Sequence, residues 1–258
     1  MLKKFRSLLY ILPLCLLVSL TGCTTVPETG RKALILGNPG NDTAMGVSAF
    51  EQIKRKYPRS RNSSANAQLQ RVGRRIANVV GMPNARWEFV LFEGSTPNAF
   101  ALPGGKVGIF TGILPITRND AGLATVVAHE VAHVTLRHGA ERASQNTLLQ
   151  GIGTALGIGL SRSGVSPGVT RTASTAYGLG ANLGVALPHS RSQELEADRI
   201  GLRYMKRAGY NPREALNFWQ RFAAYNARRG SRPEFLSTHP LDSRRIENMR
   251  QIIESGNY

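Results

Sequence analysis

Residues 129–133 read His-Glu-Val-Ala-His. On a helix, positions i and i+4 differ by about 40° of rotation and one turn of rise, so His129 and His133 can aim two imidazole nitrogens at one ion. Glu130 stands about 100° round from His129, off the ion but within reach of a water beside it. Two imidazoles and an adjacent acid at this spacing are the working parts of the H-E-x-x-H zinc signature. In a 258-residue chain with 5 histidines, chance supplies such a match roughly 0.005 times. The plain alternative is a surface helix with two solvated histidines. Leu123, Val126, Val127 and Val131 argue against it, because they make the helix apolar and buried imidazoles need a partner.

A third ligand must come from elsewhere. The metzincin spacing asks for a histidine six positions after His133, where this chain has Gly139; His138 falls one short and reads as a surface or helix-end histidine. Further on, residues 190–198 read Ser-Arg-Ser-Gln-Glu-Leu-Glu-Ala-Asp. Glu194 and Asp198 share one helix face, so one can bind metal while the other orients a ligating imidazole. Glu196 points away and reads as solvated.

With Asn98-Ala99-Phe100, Pro103-Gly104-Gly105 and the late His239-Pro240, these motifs resemble the Ste24-type and HtpX-type zinc endopeptidase family, which includes the CAAX prenyl proteases. The resemblance runs from about residue 85 to 250. It implies an α+β, mostly helical, zincin-like (gluzincin) domain with a small β-sheet and an active-site helix. It also implies one zinc ion per chain on His129, His133 and Glu194, with Glu130 as general base, Asp198 in support and peptides as substrates. The chain departs from the HtpX and CAAX-protease branches in lacking clear membrane spans, and the resemblance is nearest to periplasmic lipoprotein peptidases.

The expected reaction is peptide-bond hydrolysis by zinc-bound water assisted by Glu130, in unfolded or misassembled periplasmic and outer-membrane proteins. An oxyanion donor is expected among His239, Arg245 and Tyr204. An extended substrate is expected along the strand around Asn98–Leu102. The family places the His239 loop near the cleft, so His239 is a candidate to occupy the open metal position and hold the enzyme latent. The competing reading is an outer-membrane assembly or chaperone-like lipoprotein with a structural zinc site. Glu130 separates the two, since a purely structural site has no use for an acid beside its first ligand.

The surrounding elements follow from pattern. Leu69, Val72, Ile76 and Val79 recur at helical spacing in residues 65–80, with Arg71, Arg74 and Arg75 off that stripe as a solvated face. A further helix covers 43–57. Residues 87–92 carry a strand signal, and Pro103-Gly104-Gly105 reads as the corner of a hairpin or a sharp bend. Asp120 is placed to cap the H-E-x-x-H helix. The glycine-rich segment 147–188 reads as two small-residue helices joined near Ser163–Gly168, inserted into a single peptidase domain spanning 43–258. The remainder is helical.

The first 22 residues have a basic head and an apolar run ending in Leu20-Thr21-Gly22-Cys23, the look of a lipoprotein signal peptide. Residues 23–42 then read as a lipidated tether. The expectation is an outer-membrane protein anchored through Cys23 and facing the periplasm. Composition (41% hydrophobic, 19% charged) excludes wholesale disorder, and 2 cysteines exclude a disulfide framework. The formal charge of +17 suits solubility or anionic headgroups. Nucleic acid is not an expected partner of a secreted chain.

Overall fold

The computed structural model describes residues 23–181, 187–229 and 234–258. The signal-peptide reading of 1–22, and residues 182–186 of the glycine-rich segment, fall outside them.

In chain order the described elements are β1 (Cys23–Thr25), β2 (Lys32–Leu34), α1 (Pro39–Lys56), α2 (Ser63–Ala77), β3 (Glu88–Phe92), β4 (Ala99–Leu102), β5 (Lys106–Phe110), α3 (Leu114–Thr117) and α4 (Asp120–Thr135). They continue with α5 (His138–Arg162), α6 (Pro167–Ala181), α7 (Leu187–Arg207), α8 (Arg213–Arg229), α9 (Glu234–Thr238) and α10 (Ser243–Ser255). The α+β, mostly helical, zincin-like class read from the motifs is the class observed. The chain divides into two compact units, one of residues up to Asn38 with Arg137–Leu187, the other of Pro39–Leu136 with Pro188–Tyr258. The single domain expected over 43–258 is thus divided, with the glycine-rich helices grouped with the amino-terminal residues.

In the second unit, β3, β5 and β4 form one sheet with β5 central, β3 parallel to it and β4 antiparallel at the edge. The hairpin corner holds Gly104 at φ 85° and Gly105 at φ 81°, backbone angles that only glycine adopts without strain. Phe50 from α1 packs with Val90, Phe92 and Phe110 of the sheet. Burying each such ring contributes about 2–3 kcal/mol. The helical stripe of α2 is buried as its spacing requires, with Leu69, Val72 and Ile76 inaccessible. Its off-stripe arginines are not all solvated: Arg75 stacks on Tyr210 and donates to the Ala208 carbonyl at 2.6 Å.

The H-E-x-x-H stretch lies on α4. Asn119, not Asp120, is its N-cap, accepting the Gly122 amide at 2.8 Å, while Asp120 occupies the first turn and pairs with Arg71. Every residue from Gly122 to His133 is buried. The helix is buried on all sides because α2, β4 and α8 surround it. Against it lies α7 at close range. A Cβ on Gly201 would meet the His129 amide nitrogen at 3.2 Å and the His129 Cα at 3.3 Å. Glycine at 201 therefore sets how near the acidic helix comes to the imidazoles.

In the first unit, β1 and β2 form a short antiparallel ladder, with Val26, Ala33 and Ile35 buried. This is regular structure where a tether was expected; three-residue strands carry too little periodicity to be read. Arg137 sits in the left-handed region at φ 55° and ends the run of α4, after which α5 begins at His138. His138 is buried rather than at the surface, as is Glu141, which accepts from Nη1 and Nη2 of Arg31 at 2.7 and 2.9 Å. The helices α5 and α6 form the expected small-residue pair: the Tyr177 ring lies over Gly153 and its hydroxyl donates to the Leu149 carbonyl.

Replacing Gly201 by valine should cost about 1–3 kcal/mol through overpacking and lower zinc affinity by displacing α7, with alanine milder on both counts. Urea denaturation and chelator competition read the two effects; a valine variant with native stability would contradict the close approach.

Candidate metal centre

Helix α4 delivers three functional side chains. His129 and His133, one turn apart, bring their Nε2 atoms to 3.1 Å, and Glu130 lies beside them, all three buried. Helix α7 delivers Glu194, whose Oε2 is 3.3 Å from His129 Nε2 and whose Oε1 is 3.3 Å from His133 Nε2. The segment after α9 delivers His239, whose Nδ1 is 3.2 Å from His129 Nε2 and 3.2 Å from both Glu194 oxygens. Among the described residues, His129, His133, Glu194 and His239 form a cluster able to hold a metal ion, all buried.

The donor spacing tests which ion fits. Tetrahedral zinc with bonds of about 2.0–2.1 Å separates its donors by about 3.3–3.4 Å. The pairs that include His129 or Glu194 are separated by 3.1 to 3.3 Å, and all four donor atoms lie within 4.8 Å of one another. Three imidazoles and one carboxylate are also a donor set that suits zinc, whereas calcium and magnesium prefer oxygen. The residues present fit zinc.

Asp198, one turn after Glu194, places Oδ1 3.0 Å from His129 Nδ1. That contact puts a carboxylate on the side of the ring opposite the Nε2 that faces the cluster. Arg245 then holds Asp198 in a two-point grip, Nε to Oδ2 at 2.7 Å and Nη2 to Oδ1 at 2.8 Å. Its Nη1 is 3.0 Å from Glu194 Oε2.

The electrostatics follow from burial and these partners. Burial alone would drive His129 towards neutrality, but its contacts with Asp198 and Glu194 outweigh that and raise its pKa to about 9. Burial pushes His133 well below the ordinary histidine value. Burial raises Glu130, against the opposing pull of His239 and His129. Glu194 and Asp198 are held low in spite of burial, Glu194 by the surrounding histidines and Asp198 chiefly by Arg245.

All six residues singled out from the sequence, His129, Glu130, His133, Glu194, Asp198 and His239, come together here. His239 sits beside Glu130, its Nε2 3.2 Å from Glu130 Oε1. Of the other two oxyanion candidates, Tyr204 is buried with its hydroxyl donating to Thr135 at 3.1 Å, and Arg245 is engaged by the acidic pair. Sequence reasoning missed the bracing by Arg245 and the Trp219 ring beneath its guanidinium at 4.6 Å. Neither has a local spacing signal linking it to residue 129 or 194.

The profile of peptidase family M48 matches residues 63–253. The mitochondrial metalloendopeptidase OMA1 of Schizosaccharomyces pombe is 39% identical over 231 residues, covering 88% of this chain and 66% of that protein. OMA1 of Saccharomyces cerevisiae is 41% identical over 181 residues, covering 67% of this chain and 48% of that protein. The beta-barrel assembly-enhancing protease of Escherichia coli K12 is 28% identical over 230 residues, covering 88% and 46%. The chain thus spans about half to two thirds of the length of these curated relatives.

These likenesses overturn the expected location. An outer-membrane lipoprotein anchored through Cys23 and facing the periplasm is not where they point, since the two fungal mitochondrial OMA1 proteins match at 39–41% and the bacterial assembly-enhancing proteases at 28–29%. The leader was read from a basic head, an apolar run and a cysteine, which are generic features independent of the catalytic residues.

Asp198→Asn keeps the side-chain shape but removes the charge facing His129 and Arg245. It should weaken zinc binding about 10- to 100-fold. Chelator competition measures this, and wild-type affinity would show that Asp198 does not orient the ligand.

Proposed function

The chain belongs to peptidase family M48 and has the fold of a zinc metalloendopeptidase; from that premise we propose that it hydrolyses peptide bonds in unfolded or misassembled proteins. The observation that carries this reading is the buried Glu130 carboxylate standing at the edge of a zinc-fitting donor set.

His129, His133 and Glu194 would hold the metal, and Asp198 would orient His129. When bound, zinc supplies a Lewis acid that polarises the scissile carbonyl and makes water acidic enough to react near neutral pH. Glu130 accepts the proton of the attacking water and passes it to the leaving amine. Its raised proton affinity, caused first by burial, suits a group that must both take and return a proton.

His239 closes this arrangement as it stands. Its Nδ1 faces the ligand cluster while its Nε2 faces Glu130. With the proton on Nε2, one imidazole fills the fourth donor position and occupies the base at once. This is a latent state, and His239 must withdraw before peptide and water can enter.

The edge of the sheet supports the choice of substrate. The Phe110 amide donates to the Asn98 carbonyl, which sets the register of β4 on β5. In that register Ala99 and Ala101 turn their backbone groups to the outer edge of β4, and the Ala101 backbone also stabilises the Glu130 carboxylate. An extended peptide pairing there meets the base directly. Backbone pairing is indifferent to side chains and needs a free strand, which unfolded chains offer. Two groups of relatives carry names that fit: metalloendopeptidase, and beta-barrel assembly-enhancing protease.

Glu130→Gln should retain one zinc per chain and lose cleavage by at least about 100-fold; activity within a few-fold of wild type would contradict the assignment. His239→Ala should raise cleavage of an unstructured peptide while loosening zinc, and a variant unchanged in both would remove the latent state. Cleavage should favour a reduced, unfolded protein over its folded form, and equal rates would contradict the edge-strand reading.

A further inference from the structure

Arg245 is almost wholly buried and makes contacts with three parts of the centre through one planar group. Nε and Nη2 grip Asp198. Nη1 lies 3.0 Å from Glu194 Oε2 and donates to the Pro240 carbonyl at 2.9 Å. The guanidinium carbon lies 4.6 Å from the centre of the buried Trp219 ring. The backbone is fixed as well, because Arg245 donates its amide to the Asp242 side chain that caps α10.

The Pro240 carbonyl belongs to the residue directly after His239. We propose that Arg245 is a positioning residue that latches the His239–Pro240 segment over the metal centre, coupling the segment to the acidic pair that holds and orients the ligands. The inference rests on the peptidase reading for its consequence, but the latch itself is a structural claim about His239.

The chemistry requires arginine. Asp198 takes a two-point fork, and Nη1 must serve a carboxylate and a carbonyl at the same time. A planar guanidinium with five donors can do all of this while lying flat on an indole. A lysine ammonium at the end of a flexible stem supplies the charge to Asp198 but cannot keep the fork, the loop carbonyl and the ring contact together. Withdrawal of His239 therefore entails breaking the Nη1 bond to Pro240, and a change at Glu194 is felt by the same nitrogen. The loop is held through the ligand shell rather than by its own packing alone. The Phe235 ring, 4.8 Å from that of His239 and stacked on Trp219, extends this coupling to the base of the segment.

The test uses the full chain loaded with cobalt(II) in place of zinc, since the energies and intensities of its visible d–d bands report the donor set around the metal. The wild type, Arg245→Lys, His239→Ala and the double variant are compared for spectrum, metal release and peptide cleavage. The latch predicts that Arg245→Lys shifts the spectrum towards that of His239→Ala and speeds metal release by about 10-fold or more. It also predicts that adding His239→Ala to Arg245→Lys changes the spectrum little further. A wild-type spectrum in Arg245→Lys, or equal and additive shifts in the double variant, would overturn it. Where Arg245→Lys does not fold, Trp219→Phe shrinks the face under the guanidinium and should move the spectrum in the same direction by less; no movement overturns the proposal. Because the spectrum reports the ligands without cleavage, failure of the latch and failure of the peptidase reading are seen separately.

Discussion

Three imidazoles and a carboxylate are buried with their donor atoms all within 4.8 Å of one another, and the rest of the fold exists in a form that permits this. Groups of this kind lose their hydration on burial and regain it only from a partner. His129, His133, Glu194 and His239 arrive from two helices and a loop, with donor atoms within 4.8 Å of one another. One divalent cation satisfies all four, where protons would have to be divided among them unevenly. The opposite shifts of His129, raised, and His133, lowered, are how the chain alone shares that load.

The supporting structure follows from this demand. Helix α4 is buried on every side, so its imidazoles cannot turn to solvent. Gly201 lets α7 come within contact distance of the α4 backbone at His129. Asp198 then meets His129 from behind while Glu194 meets it from in front. The negative charge so buried is matched by Arg245, which is itself lodged against Trp219. Removing one partner of such a buried pair costs about 3–5 kcal/mol, so this bracing is part of the core as well as of the centre.

The most legible part of the centre in the sequence was the part fixed by one helical turn. His129, Glu130 and His133 are related by local geometry, and Glu194 and Asp198 by the same rule on a second helix. Their meeting is tertiary, and there the family resemblance supplied what spacing alone left open between the two acids. His239 carried only its proline neighbour as a signal, and Arg245, read as an oxyanion candidate, is one of 33 basic residues with nothing local to tie it to Asp198 or Glu194. The hairpin about Gly104 and Gly105 was readable because its turn demands glycine. The strands β1 and β2 were not, because three residues display no period. His138 was misread for a related reason: burial at a helix start depends on what packs over it, and Arg137 had turned the chain there. The leader suggested a compartment that the relatives do not support, since address and catalytic centre are separate properties of a chain.

The most direct test of the central claim is X-ray absorption at the zinc edge of the full-length protein, with metal content measured on the same sample. The account predicts one zinc per chain with only nitrogen and oxygen neighbours at about 2.0–2.1 Å and the outer-shell scattering of three imidazoles. A spectrum with no imidazole scattering, or a protein that takes up no zinc, would contradict it.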